Sequence, residues 1–375
     1  ELAMQAATAD TVLGDFGDVT FDYHGETTRF FTRDDGFYVT TPNASGQDQE
    51  FRIAYVFGVE PLQQYLIEFP GGRLQTLAFS WDTRSAADGG QRWFHIYPDE
   101  YIAPDDSLHW TGLQQNWNYM CAECHSTNVQ MGYDADSDSF DTTWSEISVG
   151  CEGCHGPSAA HVNTSKKDQQ GEKVPVHFGR DSYTPVETQN EVCLTCHRGG
   201  SQMHWEGSSH RMGDIPCASC HNSHAINDQV LDHTKQPEVC YQCHLTQRAK
   251  SHLLSRHPIK EGKVACSDCH LPHGGFGPSQ LVGSTVNDTC YTCHAEKRGP
   301  YLWEHAPVRE DCTICHAPHG STQPGMLKMR GPWLCQTCHS WEFHPGSLYD
   351  GNSVPPRGLD NHTVLRNCMN CHPKV

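Results

Sequence analysis

Residues 266–273 read CSDCHLPH, and residues 217–224 (CASCHNSH) and 312–319 (CTICHAPH) repeat the same arrangement. Each stretch contains C-x-x-C-H followed by a further histidine three positions after the first. Two cysteines directly before a histidine are the signature of covalent haem attachment, in which the thiols form thioethers and the histidine binds the iron. These stretches predict a chain organised around haem groups rather than around an aliphatic core.

The pentapeptide C-x-x-C-H occurs ten times in the 375 residues and accounts for all 20 cysteines. A zinc or disulfide protein is the alternative, but neither needs a histidine after every second cysteine. We therefore predict ten covalently attached haem c groups. The predicted attachment residues are Cys121, Cys124, Cys151, Cys154, Cys193, Cys196, Cys217, Cys220, Cys240, Cys243, Cys266, Cys269, Cys290, Cys293, Cys312, Cys315, Cys335, Cys338, Cys368 and Cys371. The predicted proximal iron ligands are His125, His155, His197, His221, His244, His270, His294, His316, His339 and His372.

Sixteen further histidines exceed the ten distal ligands that ten bis-histidine haems require. A histidine three residues after the proximal one cannot comfortably reach the opposite face of the same haem, so we expect it to serve a neighbouring haem. The predicted distal ligands are His161, His204, His210, His224, His257, His273, His305, His319, His344 and His362. His233 and His252 remain alternatives to His204. Structural or surface roles are expected for His24, His95, His109 and His177.

The composition limits the class of protein. Only 36% of the residues are hydrophobic, beside 33 Gly and 22 Pro, so the haem macrocycles must supply much of the apolar interior. A formal net charge of −19 argues against a nucleic-acid partner. No run of about 18 apolar residues predicts a membrane span. Haem c is attached outside the cytoplasm, so we expect an exported protein, and a start at Glu1 without a signal peptide indicates a mature or trimmed sequence.

The motifs divide the chain into two predicted domains. Residues 119–375 form the decahaem electron-transfer domain, which we expect to be mostly irregular and short-helical with an extended haem chain. Motif starts are 22–26 residues apart between Cys193 and Cys335, which predicts a near-regular repeat over 193–345. Residues 238–248 and 288–297 are each predicted to form one short helix ending in a haem motif.

Residues 1–118 contain no haem motif and are rich in β-branched and aromatic residues. With turn signals at Asp35-Gly36 and Gly71-Gly72, they predict a small antiparallel β domain of about five strands. Residues 133–140 are rich in aspartate but lack the glycine and glutamate of a calcium loop, which favours a solvated turn.

Two resemblances follow from these motifs. From Cys193 onward, segments such as EVCLTCHRGG, HPIKEGKVACSDCHLPHG and CYTCHAEKRGPYLWEHAPVREDCTICHAPHG resemble the decahaem cytochromes of the DmsE/MtrA type. The front half, with YVFGVEPLQQYLIEFPGGRLQTLAFSWDT, QNWNYMCAECHSTN and VGCEGCHGP, resembles multihaem proteins related to the nitrifier tetrahaem cytochromes. The first resemblance implies a periplasmic conduit that passes electrons through an outer-membrane barrel, without a bound substrate. It also places distal ligands at His210, His224, His257, His273, His305 and His319.

Three functions remain open at this point. The first is an electron carrier that works outside the cytoplasm towards an outer-membrane or extracellular acceptor, with redox proteins and an outer-membrane barrel as partners. The second is a subunit of an extracellular cytochrome filament, in which copies of the chain are its partners. The third is a multihaem reductase, which needs a haem with an open iron position or a second cofactor. The sequence shows neither of these features, so we predict an electron-transfer protein rather than an enzyme.

Overall fold

The computed structural model of the chain describes residues 4–34, 36–165, 173–331 and 333–339. Within these ranges the chain forms two compact units. The first contains the residues up to His177 together with Glu191–Cys196, and the second contains Phe178–Asn190 and the residues from His197 onward. In the described ranges, no helix is long and apolar enough to cross a membrane.

The first unit is built on an antiparallel β sheet. Its strands are β1 (Met4–Ala6), β2 (Gly17–Tyr23), β3 (Glu26–Arg33), β4 (Gly36–Pro42), β5 (Asp48–Phe57), β6 (Leu62–Phe69), β7 (Arg73–Thr76), β8 (Phe79–Asp82) and β9 (Arg92–His95). The strand order is β2-β3-β4-β5-β6-β8-β9, with β1 on β5 and β7 on β6. The predicted antiparallel β sheet is confirmed, but its strand number of about five is wrong: the sheet has nine strands among the described residues. Several span only three or four residues, too few for a period-two pattern to be recognised.

Both predicted turns lie between paired strands. Gly71 and Gly72 adopt φ of 74° and 70° between β6 and β7, a left-handed conformation that glycine adopts without steric cost. Arg33 pairs with Gly36 across the other turn, in which Asp35 lies outside the described residues.

Aromatic rings fill the core of this sheet. Phe30 stacks on Trp93 with 3.7 Å between ring centroids and 5° between planes, and Phe16 packs edge-on against both. Tyr65 is fully buried, and its hydroxyl donates to Oε1 of Gln63 at 3.1 Å. Burial raises the pKa of Tyr65, so this hydroxyl remains a donor.

Residues 133–140 form a hairpin in which Tyr133–Asp134 pairs with Ser139–Phe140. Asp138 makes an ion pair with Arg73 at 2.5 Å and accepts from the Tyr133 hydroxyl at 2.9 Å. Asp134 accepts from the backbone N–H of Asp136 and the hydroxyl of Ser137. Protein donors therefore hold these carboxylates, and the predicted turn is confirmed.

The helices are short throughout the described ranges. The α-helices are Trp117–Met120, Ala122–His125, Cys151–His155, Ala159–Ser165, Val186–Cys196, Ser209–Met212, Gln236–Cys240, Leu245–Lys250, Val286–Tyr291, Ala306–Glu310 and Trp333–Gln336. The 3₁₀-helices are Pro70–Gly72, Ala86–Asp88, Leu113–Gln115, Gly200–Gln202, Trp205–Gly207, Cys217–Ser219, Cys266–Asp268, Pro278–Gln280, Ala295–Lys297, Cys312–Ile314 and Pro324–Met326.

The two predicted helices over 238–248 and 288–297 are wrong as continuous elements. Each splits at its haem motif, with His244 at φ −87°, ψ 58° and His294 at φ −103°, ψ 46°. Helix propensity predicted continuity, but the histidine that closes each motif leaves the helical conformation.

Successive motifs in the second unit alternate in conformation. The motifs starting at Cys217, Cys266 and Cys312 open with a 3₁₀ turn, whereas the helices Gln236–Cys240 and Val286–Tyr291 lead into the intervening motifs. The structural repeat is therefore a pair of motifs, twice the length of the repeat read from the cysteines alone.

Buried amides connect one motif to the next. Oδ1 of Asn287 accepts from the N–H of Cys312 at 2.7 Å, and its Nδ2 donates to the carbonyls of Val308 and Arg309. Asn190 makes the equivalent bond to the N–H of Cys217 at 2.9 Å. These side chains fix the spacing between consecutive cysteine pairs.

Candidate haem-binding site

In the second unit, histidines that close a motif face histidines from elsewhere in the chain. Every partner in these pairs is one of the predicted distal residues. The pairs, with the distances between ring centroids, are His210–His244 (6.2 Å), His221–His273 (5.9 Å), His257–His294 (6.3 Å), His270–His319 (6.0 Å) and His305–His339 (6.1 Å).

This spacing fits one iron atom between the two rings. A metal–imidazole nitrogen bond is about 2 Å long, and a ring centre lies about 1 Å beyond its nitrogen, which gives about 6 Å between centroids. The five separations differ by no more than 0.4 Å, and this common distance matches a six-coordinate haem.

The other ring nitrogen of several of these histidines donates to a backbone carbonyl. Nδ1 of His270 lies 3.1 Å from the oxygen of Ser279, and Nδ1 of His316 lies 2.7 Å from the oxygen of Gly325. His155 in the first unit contacts the Val176 oxygen in the same way. A carbonyl only accepts hydrogen bonds, so the proton resides on Nδ1 and Nε2 is left to bind a metal.

The stretch 270–273 takes part in three of the pairs. His270 faces His319, His273 faces His221, and the carbonyl of Pro272 accepts from Nδ1 of His210 at 2.8 Å. In the next repeat, the Pro318 carbonyl accepts from Nδ1 of His257 at 2.9 Å. The second histidine of CHLPH thus lies beside another motif's proximal histidine, not its own.

Burial favours the neutral form of two of the facing imidazoles. It lowers the pKa of His273 and of His319, in both cases mainly by desolvation and further through neighbouring histidines. The neutral imidazole is the form that binds metal. In the first unit, burial likewise lowers the pKa of His125, whose ring packs edge-on against Phe57.

Cysteines of consecutive motifs also come together. The side chains of Cys240 and Cys266 are hydrogen-bonded, as are those of Cys290 and Cys312. Burial, and then the neighbouring Cys312, raises the pKa of the Cys290 thiol to about 12. The sulfurs that anchor one haem therefore adjoin those that anchor the next.

The remaining predicted ligands have other positions. His161 lies on the helix Ala159–Ser165, and His204 packs edge-on against Phe276 at 4.5 Å. Ligation by these residues, and by His197 and His224, stays a prediction. Outside the described residues lie His344, His362, Cys368, Cys371 and His372.

The two alternatives to His204 contact charged side chains. Nε2 of His233 lies 3.0 Å from Asp268, and Nδ1 of His252 lies 2.6 Å from Nζ of Lys260. His95 stacks on Tyr23 in the sheet at 3.6 Å, which is the structural role expected for it. Burial lowers the pKa of His95 to about 4, and its Nδ1 accepts from the N–H of Tyr97.

Two contributors were not predicted from the sequence. Nδ1 of His221 lies 2.9 Å from Oδ2 of Asp228, a carboxylate where His155, His270 and His316 contact a carbonyl. Trp205 is buried with its ring 6.1 Å from His273. Among the described side chains, Trp205 Nε1 and Ser219 Oγ are buried without a hydrogen-bond partner, which fits donors facing a propionate-bearing group. Nothing in the pattern around Trp205 distinguishes it from an ordinary core tryptophan.

Facing histidines over repeated C-x-x-C-H motifs define a multihaem c-type cytochrome. The comparisons with known families agree along most of the chain. The doubled CXXCH motif family matches residues 257–299 and 305–344, the NrfB-like cytochrome c-type proteins match 151–236, and the cytochrome c554 and c-prime family matches 102–156. The doubled-motif matches begin at the positions of His257 and His305, in agreement with the two-motif repeat of the structure.

Two relatives extend this result. Multihaem cytochrome MtrA of Shewanella baltica is 41% identical over 260 residues, covering 68% of this chain and 76% of that protein. Cytochrome c-type protein NrfB of Haemophilus influenzae is 29% identical over 112 residues, covering 27% of this chain and 46% of that protein. The chain belongs to the multihaem cytochrome family of MtrA and carries covalently bound haem c. Both resemblances stated from the sequence are confirmed.

Proposed function

We propose that this chain carries electrons over long distance outside the cytoplasm, through ten closely spaced bis-histidine haems. The observation that carries the proposal is the set of five facing histidine pairs, each about 6 Å across, four of which are joined through the stretches 270–273 and 318–319. Bound haem supplies the one-electron redox centre. The protein residues hold the iron, set its potential and bring neighbouring haems close together.

From these pairs we propose ligands for five haems. We assign the haem at Cys217 and Cys220 to His221 and His273. The other four assignments are Cys240/Cys243 with His244 and His210, Cys266/Cys269 with His270 and His319, Cys290/Cys293 with His294 and His257, and Cys335/Cys338 with His339 and His305. The remaining five haems of the proposed ten keep the ligands predicted from the sequence.

These assignments make neighbours of particular haems. His270 and His273 lie in one stretch and ligate two different irons, so the haems at Cys217 and Cys266 adjoin. Contact between Cys240 and Cys266 brings the haem at Cys240 to the same place. Electron transfer between such neighbours needs no change of ligand, because bis-histidine iron keeps both ligands in the ferric and ferrous states.

The acceptor and the partners follow from this role. We propose export to the periplasm or the cell exterior, redox proteins as donors, and an outer-membrane barrel as the route to an outer acceptor. The same haem chain would also serve a filament built from copies of this protein. A reductase would instead require an iron with an open sixth position.

Electron uptake by the purified haem-loaded protein tests the proposal. We expect ten haems per chain, uptake of ten electrons, and no binding of carbon monoxide to the reduced protein. Replacement of Cys266 and Cys269 by Ala should remove one haem and slow electron equilibration along the chain, whereas His233→Ala should do neither. Carbon monoxide binding by the unaltered protein would contradict the carrier and favour the reductase.

Electron microscopy of the same preparation distinguishes the conduit from the filament. Discrete particles are expected for a conduit that works beside a barrel. Regular filaments with ten haems per repeat would contradict a solitary conduit and establish the polymeric alternative.

A further inference from the structure

Two of the assigned haem sites are matched in ligand geometry but differ in one hydrogen bond. His221–His273 has a ring separation of 5.9 Å and 17° between planes, and His270–His319 has 6.0 Å and 11°. Both proximal histidines close the first motif of a pair. Nδ1 of His270 donates to the carbonyl of Ser279, whereas Nδ1 of His221 donates to the carboxylate of Asp228 at 2.9 Å. These two sites can therefore be compared within one protein.

The difference has a structural origin in the loop after each motif. His270 and His316 form isolated β-bridges with Leu281 and Leu327, which bring a carbonyl nine residues downstream onto the imidazole. No such bridge involves His221 in the part of the chain that the structure describes. Its loop instead brings Asp228, seven residues downstream, to the same ring position.

Asp228 is held as a partly buried acceptor rather than a surface charge. Its side chain is 14% exposed, against 39% for Asp268, which contacts His233. Its Oδ1 lies 3.4 Å from the N–H of Val230, and its own carbonyl accepts from the N–H of Leu231. Solvent therefore screens the contact between Asp228 and His221 less than it screens the exposed ion pairs of the chain.

We propose that Asp228 is a positioning residue that lowers the reduction potential of the haem at Cys217 and Cys220 below that of the haem at Cys266 and Cys269. A carboxylate accepting from Nδ1–H strengthens the donor character of the imidazole more than a neutral carbonyl does. A more basic ligand stabilises ferric iron over ferrous iron, which lowers the potential. Of these two adjoining haems, the one at Cys217 is then the later to accept an electron, so it forms an uphill step in the chain. This inference rests on the ligand assignments of the proposed function.

Redox titration of three variants of the full haem-loaded protein tests the inference. In Asp228→Asn, one wave at low potential should move upward, and the ferric electron paramagnetic resonance signal of that haem should shift because its ligand is less basic. Asp228→Glu should retain most of the low potential. Asp10→Asn removes an exposed carboxylate from the first unit, whereas the five facing pairs lie in the second, and should leave both readouts unchanged.

The haem count and the bis-histidine spectrum are measured on the same samples, so failure of the ligand assignments is seen separately. An unchanged titration of Asp228→Asn with all haems bound and low-spin would overturn the inference while leaving the proposed function intact.

A second pair of variants keeps the inference testable if Asp228→Asn does not fold. His273→Met marks the wave of the haem at Cys217, and His319→Met marks that of the haem at Cys266, because methionine ligation raises the potential. The wave displaced by His273→Met should be the lower of the two in the unaltered protein. The reverse order would overturn the inference.

Discussion

The imidazoles of His270 and His319 lie 6.0 Å apart with only 11° between their planes, although they belong to two motifs with a third between them in sequence. Their spacing leaves room for one iron, and Nδ1 of His270 is fixed by the Ser279 carbonyl. His273, three residues from His270, faces a different histidine altogether. One short stretch therefore takes part in two facing pairs, which is the basis of the proposed electron path.

Replacement of His319 by Met should change one haem only. We expect its potential to rise by on the order of 0.1 V, since a thioether favours ferrous iron more than imidazole does. A redox titration followed by absorbance measures the shift. His252→Met is the matched control, because Nδ1 of His252 contacts Nζ of Lys260 and its ring faces none of the motif histidines that the structure describes. Equal titrations of the His319 variant and the unaltered protein would exclude His319 as a ligand.

Removal of His257 should open the sixth position of the iron bound to His294. In His257→Ala we expect one haem to become high-spin and to bind carbon monoxide after reduction, whereas the other nine stay low-spin. Absorbance difference spectra with and without carbon monoxide provide the measurement. A protein that remains fully low-spin would show that His257 does not ligate the iron.

Truncation of Asn287 should destabilise the connection between two motifs. Asn287→Ala leaves the N–H of Cys312 and the carbonyl of Val308 without their partner, at a cost of about 1 to 3 kcal/mol in the free energy of unfolding. Urea unfolding followed by absorbance at the haem bands measures this loss. Asn227→Ala, an exposed asparagine in the same unit, should cost far less. Equal effects of the two changes would contradict the role given to Asn287.

Acid should weaken the β sheet through His95. Burial lowers the pKa of His95 from 6.5 to about 4, so the unfolded chain binds the proton more readily than the folded one. The contribution is fully present above about pH 6.5 and is lost as the pH falls towards 4, by roughly 3 kcal/mol. Urea unfolding followed by circular dichroism of the sheet should show this loss.

The variant His95→Gln has no titrating ring and should remove most of that pH dependence. His24→Gln, at an exposed position beside Tyr23, should retain it. A His95→Gln protein that loses as much stability between pH 6.5 and 4 as the unaltered protein would contradict the assignment.

The sequence was sufficient for the covalent chemistry and for the antiparallel sheet near the start of the chain. Every C-x-x-C-H motif carries its own attachment residues, so the haem class follows from local order alone. The pairing of His273 with His221 does not follow from local order, because it joins distant parts of the chain and depends on the path of the loops between motifs. The family resemblance and the count of histidines reduced the set of candidate distal ligands. The structure then showed which of these candidates faces which motif histidine.

The errors in prediction also have local causes. The helix predicted over 288–297 breaks at His294, since this residue leaves the helical conformation. The period of 22–26 residues treats every motif as the same structural unit. In the structure, the motif at Cys266 opens with a 3₁₀ turn, whereas a helix leads into the motif at Cys290. Asp228 lies in a polar loop without a distinguishing sequence pattern, and only its distance from His221 indicates its role.

An experimental structure of the haem-loaded protein, with the iron atoms located by anomalous scattering or direct density, tests the central claim most directly. We predict an iron atom midway between the rings of His221 and His273, and likewise within the other four facing pairs. Iron atoms ligated by other side chains, with these pairs in direct contact or apart, would contradict it.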